Sequence, residues 1–275
     1  MKRERPEAPA RAGWRRWSAA VGGLLALLLL GPLGVLAFGD LDLQTPWYQA
    51  RNDSTGYAPA PQQAQEAIVQ VYGARTVRWR GAFGIHPWIA VKRAGASEYT
   101  TYQVIGWRAL RGGDAVVATQ TESPDTRWFG AEPQLLVQHR GAAAAQMIDR
   151  IEAAVAAYPW NTRYQLWPGP NSNTFVAFVA RAVPELRLDL PPTAIGKDYL
   201  GDTTWWAPAP SGTGWQASLW GLAGVTLARE EGIELQLLGL GFGIDVNDLR
   251  LRFPGIGFWP GPAPVRTAPG PAPAG

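Results

Sequence analysis

Cysteine is missing from all 275 residues, and histidine and methionine occur only twice each. Without cysteine there is no disulfide, no thiolate nucleophile and no thiolate metal ligand. His86 and His139 are too few for a histidine-rich zinc site, so any metal would have to be a hard cation held by oxygens. No carboxylate loop of that kind is visible, and neither a metal nor a cofactor is expected. Charge is also sparse, at 17 % of residues against 47 % hydrophobic, which excludes a disordered chain. The net charge of +3 is concentrated at the start: residues 1–16 hold six basic and two acidic side chains, a sum of +4, and leave −1 for the remainder. A basic nucleic-acid binder is thereby excluded, and no nucleic-acid partner is expected.

What the chain does have is one long apolar run. No charged residue occurs from Trp17 to Phe38. Twenty-two helical residues rise roughly 33 Å, enough for a hydrocarbon core of about 30 Å. The basic head, residues 1–16, belongs on the cytoplasmic side, which puts everything after the helix outside the inner membrane, in the periplasm. Val35-Leu36-Ala37 also resembles a signal-peptide cleavage site, but the run is longer than a usual signal core. An uncleaved transmembrane helix over 17–38 is therefore the expectation. Arg15-Arg16 alone does not make a twin-arginine signal.

Residues 39–63 read as a linker or extended wrap, and 64–259 as one α+β domain. Strands are expected at Ile68–Tyr72, Ile85–Lys92, Tyr99–Trp107 and Ala115–Thr119, with Arg93–Ser97 joining a hairpin. Gly141–Tyr158 is the clearest helix, with Met147, Ile148, Ile151 and Val155 on one face and Pro159 as its stop. A second helix runs from about Asn173 to Val183, with Phe175, Phe178, Val179 and Ala182 as its buried stripe. Strands return at Trp215–Leu219, Val225–Arg229, Ile233–Leu238 and Leu249–Phe253. Gly239–Gly243 lacks the Lys-Ser/Thr of a phosphate loop and suits close backbone packing. The Pro/Ala-rich residues 260–275 read as a disordered tail.

Two residues invite chemistry. His86 opens a strand and has the near-neutral reference pKa a general base needs; its other reading is a buried histidine bonded to backbone. Ser172 lies at a helix start, where N–H groups and the dipole favour a developing anion. A serine hydroxyl needs a base to take its proton, and Asn171-Ser172-Asn173-Thr174 is also an ordinary capping sequence. Asn171 and Asn173 are candidate oxyanion donors. Gln103 or Tyr102, whichever shares a face with His86, is the candidate to orient it. Lys197 and His139 read as surface residues. Trp205-Trp206 and Trp259 have three readings: core, the default, membrane surface or ligand groove.

A strand histidine, a long helix, then Asn171-Ser172-Asn173-Thr174-Phe175 at the next helix start resembles the circularly permuted papain-like group, which includes NlpC/P60 and lecithin-retinol acyltransferase relatives, over roughly residues 80–185. Serine stands where that group has cysteine. More closely, Ile89–Lys92, Trp167–Phe175 and Leu190–Tyr199 resemble a bacterial domain of unknown function numbered 3750, across about residues 50–258. The first resemblance implies acyl transfer or amide/ester hydrolysis on an envelope peptide or lipid-linked acyl group, with Ser172 attacking and His86 moving the proton. The alternative is a non-catalytic, membrane-tethered binding or scaffold domain.

Overall fold

The computed structural model describes residues 10–262 and 264–267. Its first element is the apolar helix α1 (Ala10–Phe38), interrupted only by Pro32. Residues Gly13–Phe38 are long and apolar enough to cross a membrane, and little of that stretch is buried. The exceptions are Leu28 and Pro32, which pack against the folded part of the chain.

The segment after α1 is a wrap. Asp125 holds it by accepting from the Ser54 hydroxyl at 2.7 Å and the Tyr57 amide at 2.6 Å. A five-stranded sheet follows, built from β1 (Ile68–Arg75), β2 (Ile85–Lys92), β3 (Tyr99–Val104), β4 (Val116–Thr121) and β5 (Gln134–Arg140) in the order 4-3-2-1-5. A short helix, α2 (Gly106–Leu110), ends the third strand before Trp107. β1 and β2 are central and buried on both faces, which is why apolar residues occupy consecutive positions in them rather than alternating ones. β5 is not expected from the sequence: its second half, Gln138-His139-Arg140, is polar. The sheet satisfies these groups, with Gln70 donating to Gln138 at 2.8 Å and the His139 ring bonding to the Leu186 carbonyl at 3.1 Å.

Helices α3 (Gly141–Ala156) and α4 (Ser172–Ala182) cover one face of this sheet. Val69, Val71, Ile85, Ile89, Val91 and Val137 point into that layer and meet Ile148, Ile151, Phe175, Val176 and Val179. Intervening residues point to the opposite face, where Tyr72, Trp88, Ala90 and Tyr99 form a second cluster. α4 is buried almost all round, not along a stripe: Phe178 is half-buried and Ala182 is exposed, while Val176 and Ala177 are fully covered. The loop after it and the second sheet supply that extra cover.

The second sheet is seven antiparallel strands in sequence order: β6 (Trp206–Pro208), β7 (Gly214–Leu219), β8 (Ala223–Ala228), β9 (Gly232–Leu237), β10 (Leu240–Asp245), β11 (Arg250–Phe253) and β12 (Gly257–Trp259). Its register sets up two rows of side chains. On one face Pro208, Trp215, Leu227, Ile233, Ile244, Leu251 and Trp259 stand side by side across all seven strands. On the other, Gln216, Thr226, Glu234, Gly243, Arg252 and Phe258 do the same. The polar face is the buried one.

That face surrounds an ion cluster. Arg252 grips both oxygens of Asp189 at 2.6 Å and reaches Glu234 at 3.0 Å, while Lys197 reaches Glu234 at 2.8 Å. Glu234 and Arg252 lie two strands apart, so their contact passes over Gly243, where any side chain would run into the Glu234 backbone. The close packing expected at Gly239–Gly243 is thus used to let charges meet. Lys197, expected on the surface, is buried because the carbonyls of Leu190 and Pro191 and the Glu234 carboxylate take all three of its donors.

The stretch read as a disordered tail begins by returning to the body. Arg266 pairs with β5 through the Leu136 carbonyl and Gln138 amide, at 3.1 and 2.8 Å, and makes ion pairs with Glu230 and Asp248. Residues 263 and 268–275 of that expectation lie outside the described residues.

Candidate functional site

His86 occupies the second position of β2, so its side chain points away from α4. Its ring stacks on Trp128 at 3.7 Å with the planes 5° apart, and Nε2 donates to the Gln103 side-chain oxygen at 3.1 Å. Gln103, not Tyr102, is therefore the residue that orients it. Tyr102 points to the helix face, toward Glu152 at 3.4 Å. Burial pushes the His86 pKa down to about 4, and the Gln103 contact only partly opposes this. The ring is neutral at physiological pH, with its proton fixed on Nε2.

Ser172 lies on the opposite side of the sheet, in the first turn of α4, and is buried. The five-stranded sheet stands between it and His86, and the expected Ser-His pair does not form in this structure. His139 does not replace His86. It is almost wholly buried, not on the surface, and its carbonyl partner Leu186 follows the C-terminal end of α4, the end away from Ser172.

The neighbours of Ser172 do structural work. The Asn171 side chain accepts from the amides of Asn173 and Thr174 at 2.9 and 3.2 Å, and the Thr174 hydroxyl accepts from the Asn171 amide. This reciprocal cap satisfies the helix's free donors. The Asn171 amide group donates to the carbonyls of Leu166 and Ile195, both at 3.0 Å. The Asn173 amide group donates to Ile195 at 2.8 Å and Ile85 at 3.3 Å. Thr174 adds a bond to Gly196 at 2.8 Å. Both asparagine amides, the candidate oxyanion donors, are thus already spent on backbone carbonyls. They tie the helix start to the loop after Leu190 and to the beginning of β2. The Ser172 hydroxyl takes no part in this clamp.

The clamped loop forms one wall of a cleft of about 480 Å³. Pro191 and Thr193 line it from the loop, Ile85 from β2, Arg75 from the end of β1, and Ile256 and Phe258 from the second sheet. Asp40 and Asp42, just beyond α1, close its near side, so the cleft opens beside the foot of the apolar helix. Arg127 and Glu132 in its wall pair with each other at 3.1 Å. Among the described residues Arg75 has only carbonyl partners, Gly81 at 2.6 Å, Gly255 at 3.0 Å and Ile256 at 3.5 Å. Burial lowers its pKa, but a guanidinium keeps its charge at physiological pH. Arg75 gives no signal in the sequence, because only the fold reveals that no carboxylate accompanies it.

A smaller hollow of about 150 Å³ on the His86 face is lined by Trp88, Gln103 and Trp128 with the hydroxyl side chains of Thr101, Thr119 and Thr121.

The geometry defines a mixed α+β body behind one apolar helix, with a charged cleft at the junction. Residues 66–199 match the model of a family described as a protein of unknown function (DUF3750). The matched stretch runs from β1 to Tyr199 and so contains the strand of His86, the capped helix and the loop clamped to it. No curated protein and no solved structure matches the chain.

Proposed function

We propose that this chain is a membrane-tethered, non-catalytic binding domain of the periplasm, and that its cleft receives an amphiphilic envelope component carrying an anionic group. The observation that carries this reading is Arg75, a charge without a carboxylate partner, lining a cleft of about 480 Å³ at the end of a membrane-length helix. A half-buried charge with no carboxylate partner among the described residues favours an anionic ligand. Apolar walls from Ile85, Ile256 and Phe258 suit the remainder of such a molecule. The Asn171-Ser172-Asn173-Thr174 run serves this reading as a clamp on the Pro191–Thr193 wall. The mostly exposed surface of α1 supports an anchor over a core helix, and its packing against Pro254 and Gly255 supports retention over cleavage.

The test is extraction of small molecules from the full chain purified out of membranes, read by mass spectrometry. An anionic amphiphile should accompany the unaltered protein, fall several-fold in Arg75→Gln, and persist in Ser172→Ala. An unaltered protein that retains nothing sinks the reading.

Acyl transfer is the second reading, and one observation supports it: the Ser172 hydroxyl is left unbonded in the first turn of an eleven-residue helix. It would require a base other than His86. Labelling of the unaltered chain by a fluorophosphonate, lost in Ser172→Ala, would establish it over the binding reading.

A further inference from the structure

The second sheet is inverted: its polar row is buried and its apolar row faces outward. Trp215, Leu227, Ile233, Leu235 and Trp259 are each between 44 and 56 % exposed, and Ile244 is 38 % exposed. From β7 to β10 the outward row through Trp215 and the two beside it, through Ala217 and Leu219, contain no charged residue. Seven strands about 4.8 Å apart make this face roughly 29 Å wide. An apolar face of this size is far more than the scattered exposed residues of an ordinary surface, and it needs a cover.

The sheet's own contact with α1 identifies that cover. Gly31 and Pro32 press against Pro254 and Gly255 in the turn between β11 and β12, so closely that neither glycine has room for a side chain. Gly31 lies seven residues before the end of α1, about 10 Å along its axis. Trp14 and Trp17, beside Arg15 and Arg16, mark the other interface, and about 20 residues further on the helix leaves the hydrocarbon near Ala37. The β11–β12 turn therefore sits at outer-leaflet depth. Trp259 and the apolar row continue from that turn without a break. Trp206 and Trp215, stacked at 5.3 Å, lie at the far side of the same face, and tryptophan favours the boundary between headgroups and chains.

We infer that the outer face of the seven-stranded sheet rests in the membrane surface, so that the domain lies on the lipid as well as being tethered to it. This rests on the reading of α1 as an anchor. The backbone groups of the inner strands are paired within the sheet, so along those strands only side chains enter the acyl boundary, and the polar row behind them remains in protein.

The natural absence of cysteine makes the test direct. Single replacements Leu227→Cys, Leu235→Cys and Ile244→Cys, with Gln120→Cys on β4 as the control, are labelled with an environment-sensitive fluorophore. The full chain is then placed in phosphatidylethanolamine–phosphatidylglycerol vesicles. Spin-labelled lipid should quench the three sheet labels several-fold more than aqueous iodide does, and the control should show the reverse. Sheet labels open to iodide overturn the inference, as do labels shielded from both quenchers, which would mean that a second copy or another protein covers the face. A chain that fails to float with the vesicles overturns the anchor reading instead, so the two failures are distinguishable.

Discussion

The two sheets use opposite chemistry to fill their interiors. The five-stranded sheet packs valine and isoleucine against two helices and leaves its buried histidine neutral. The seven-stranded sheet turns glutamate, arginine and glutamine inward and leucine and tryptophan outward. Burial lowers the Arg252 guanidinium, but Asp189 and Glu234 beside it outweigh that and hold its pKa above the ordinary value. The first arrangement is stable by removing apolar area from water. The second holds only while each inward charge keeps its partner, because an orphaned buried ion costs more than a lost apolar contact.

The largest expected effect tests that difference. Arg252→Met strands Asp189, leaves Glu234 with Lys197 alone, and should cost about 3–5 kcal/mol in thermal or denaturant unfolding. The double change to neutral residues at Asp189 and Arg252 should recover much of the loss. A single change costing under about 1 kcal/mol would dissolve the contrast.

Acidity separates the sheets next. His86 is depressed by burial from 6.5 to about 4, so its stabilising contribution is present above pH 6.5 and is lost as pH falls toward 4. A shift of that size corresponds to about 3 kcal/mol. His86→Phe, which keeps a ring on Trp128, should flatten the fall in melting temperature across that range. Glu231, at the edge of the second sheet, is raised from 4.5 to about 7 by burial first and by Asp189 second, and has the opposite sign. Its contribution is present below pH 4.5 and lost as pH rises toward 7, so Glu231→Gln should flatten the decline on that side.

Smaller effects distinguish clamp from chemistry. Asn171→Ala removes the cap and two loop bonds and should cost about 1–2 kcal/mol while loosening the Pro191–Thr193 wall, measured by hydrogen exchange at Ile195 and Gly196. Ser172→Ala should change stability by about 0.5 kcal/mol or less, since its hydroxyl joins no bond of the clamp. A loss comparable to Asn171→Ala would mean that Ser172 supports the helix start after all.

Local pattern made much of this fold legible. Met147, Ile148 and Ile151 repeat at helical spacing, and Pro159 and Pro184 stop their helices, so both main helices fall close to their expected limits. The hairpin of β2 and β3 and the turn at Arg229–Gly232 follow from β-branched runs and turn residues. The facing of His86 was not legible. It depends on which side of a doubly buried strand the helices cover, and Ile85-His86-Pro87-Trp88 is apolar on both sides. The motif around Ser172 was visible as a helix start, but its bonds run to Ile85, Ile195 and Gly196, and no sequence spacing announces those. Lys197 misled because the acceptors that bury it, the Leu190 and Pro191 carbonyls and Glu234, gather only in the fold. Charged residues alternating with leucine and tryptophan imply a strand with a wet face, and in the second sheet the wet-looking face is the inner one.

Arg266 gives the molecule an order of assembly. Its backbone lies along the edge of β5, and its guanidinium joins Glu230 and Asp248 of the second sheet. Synthesis proceeds from the first residue to the last, so both layers emerge before the piece that fastens them together. Closure is a terminal event, and a chain cut before Arg266 would present two assembled layers whose shared latch had never arrived.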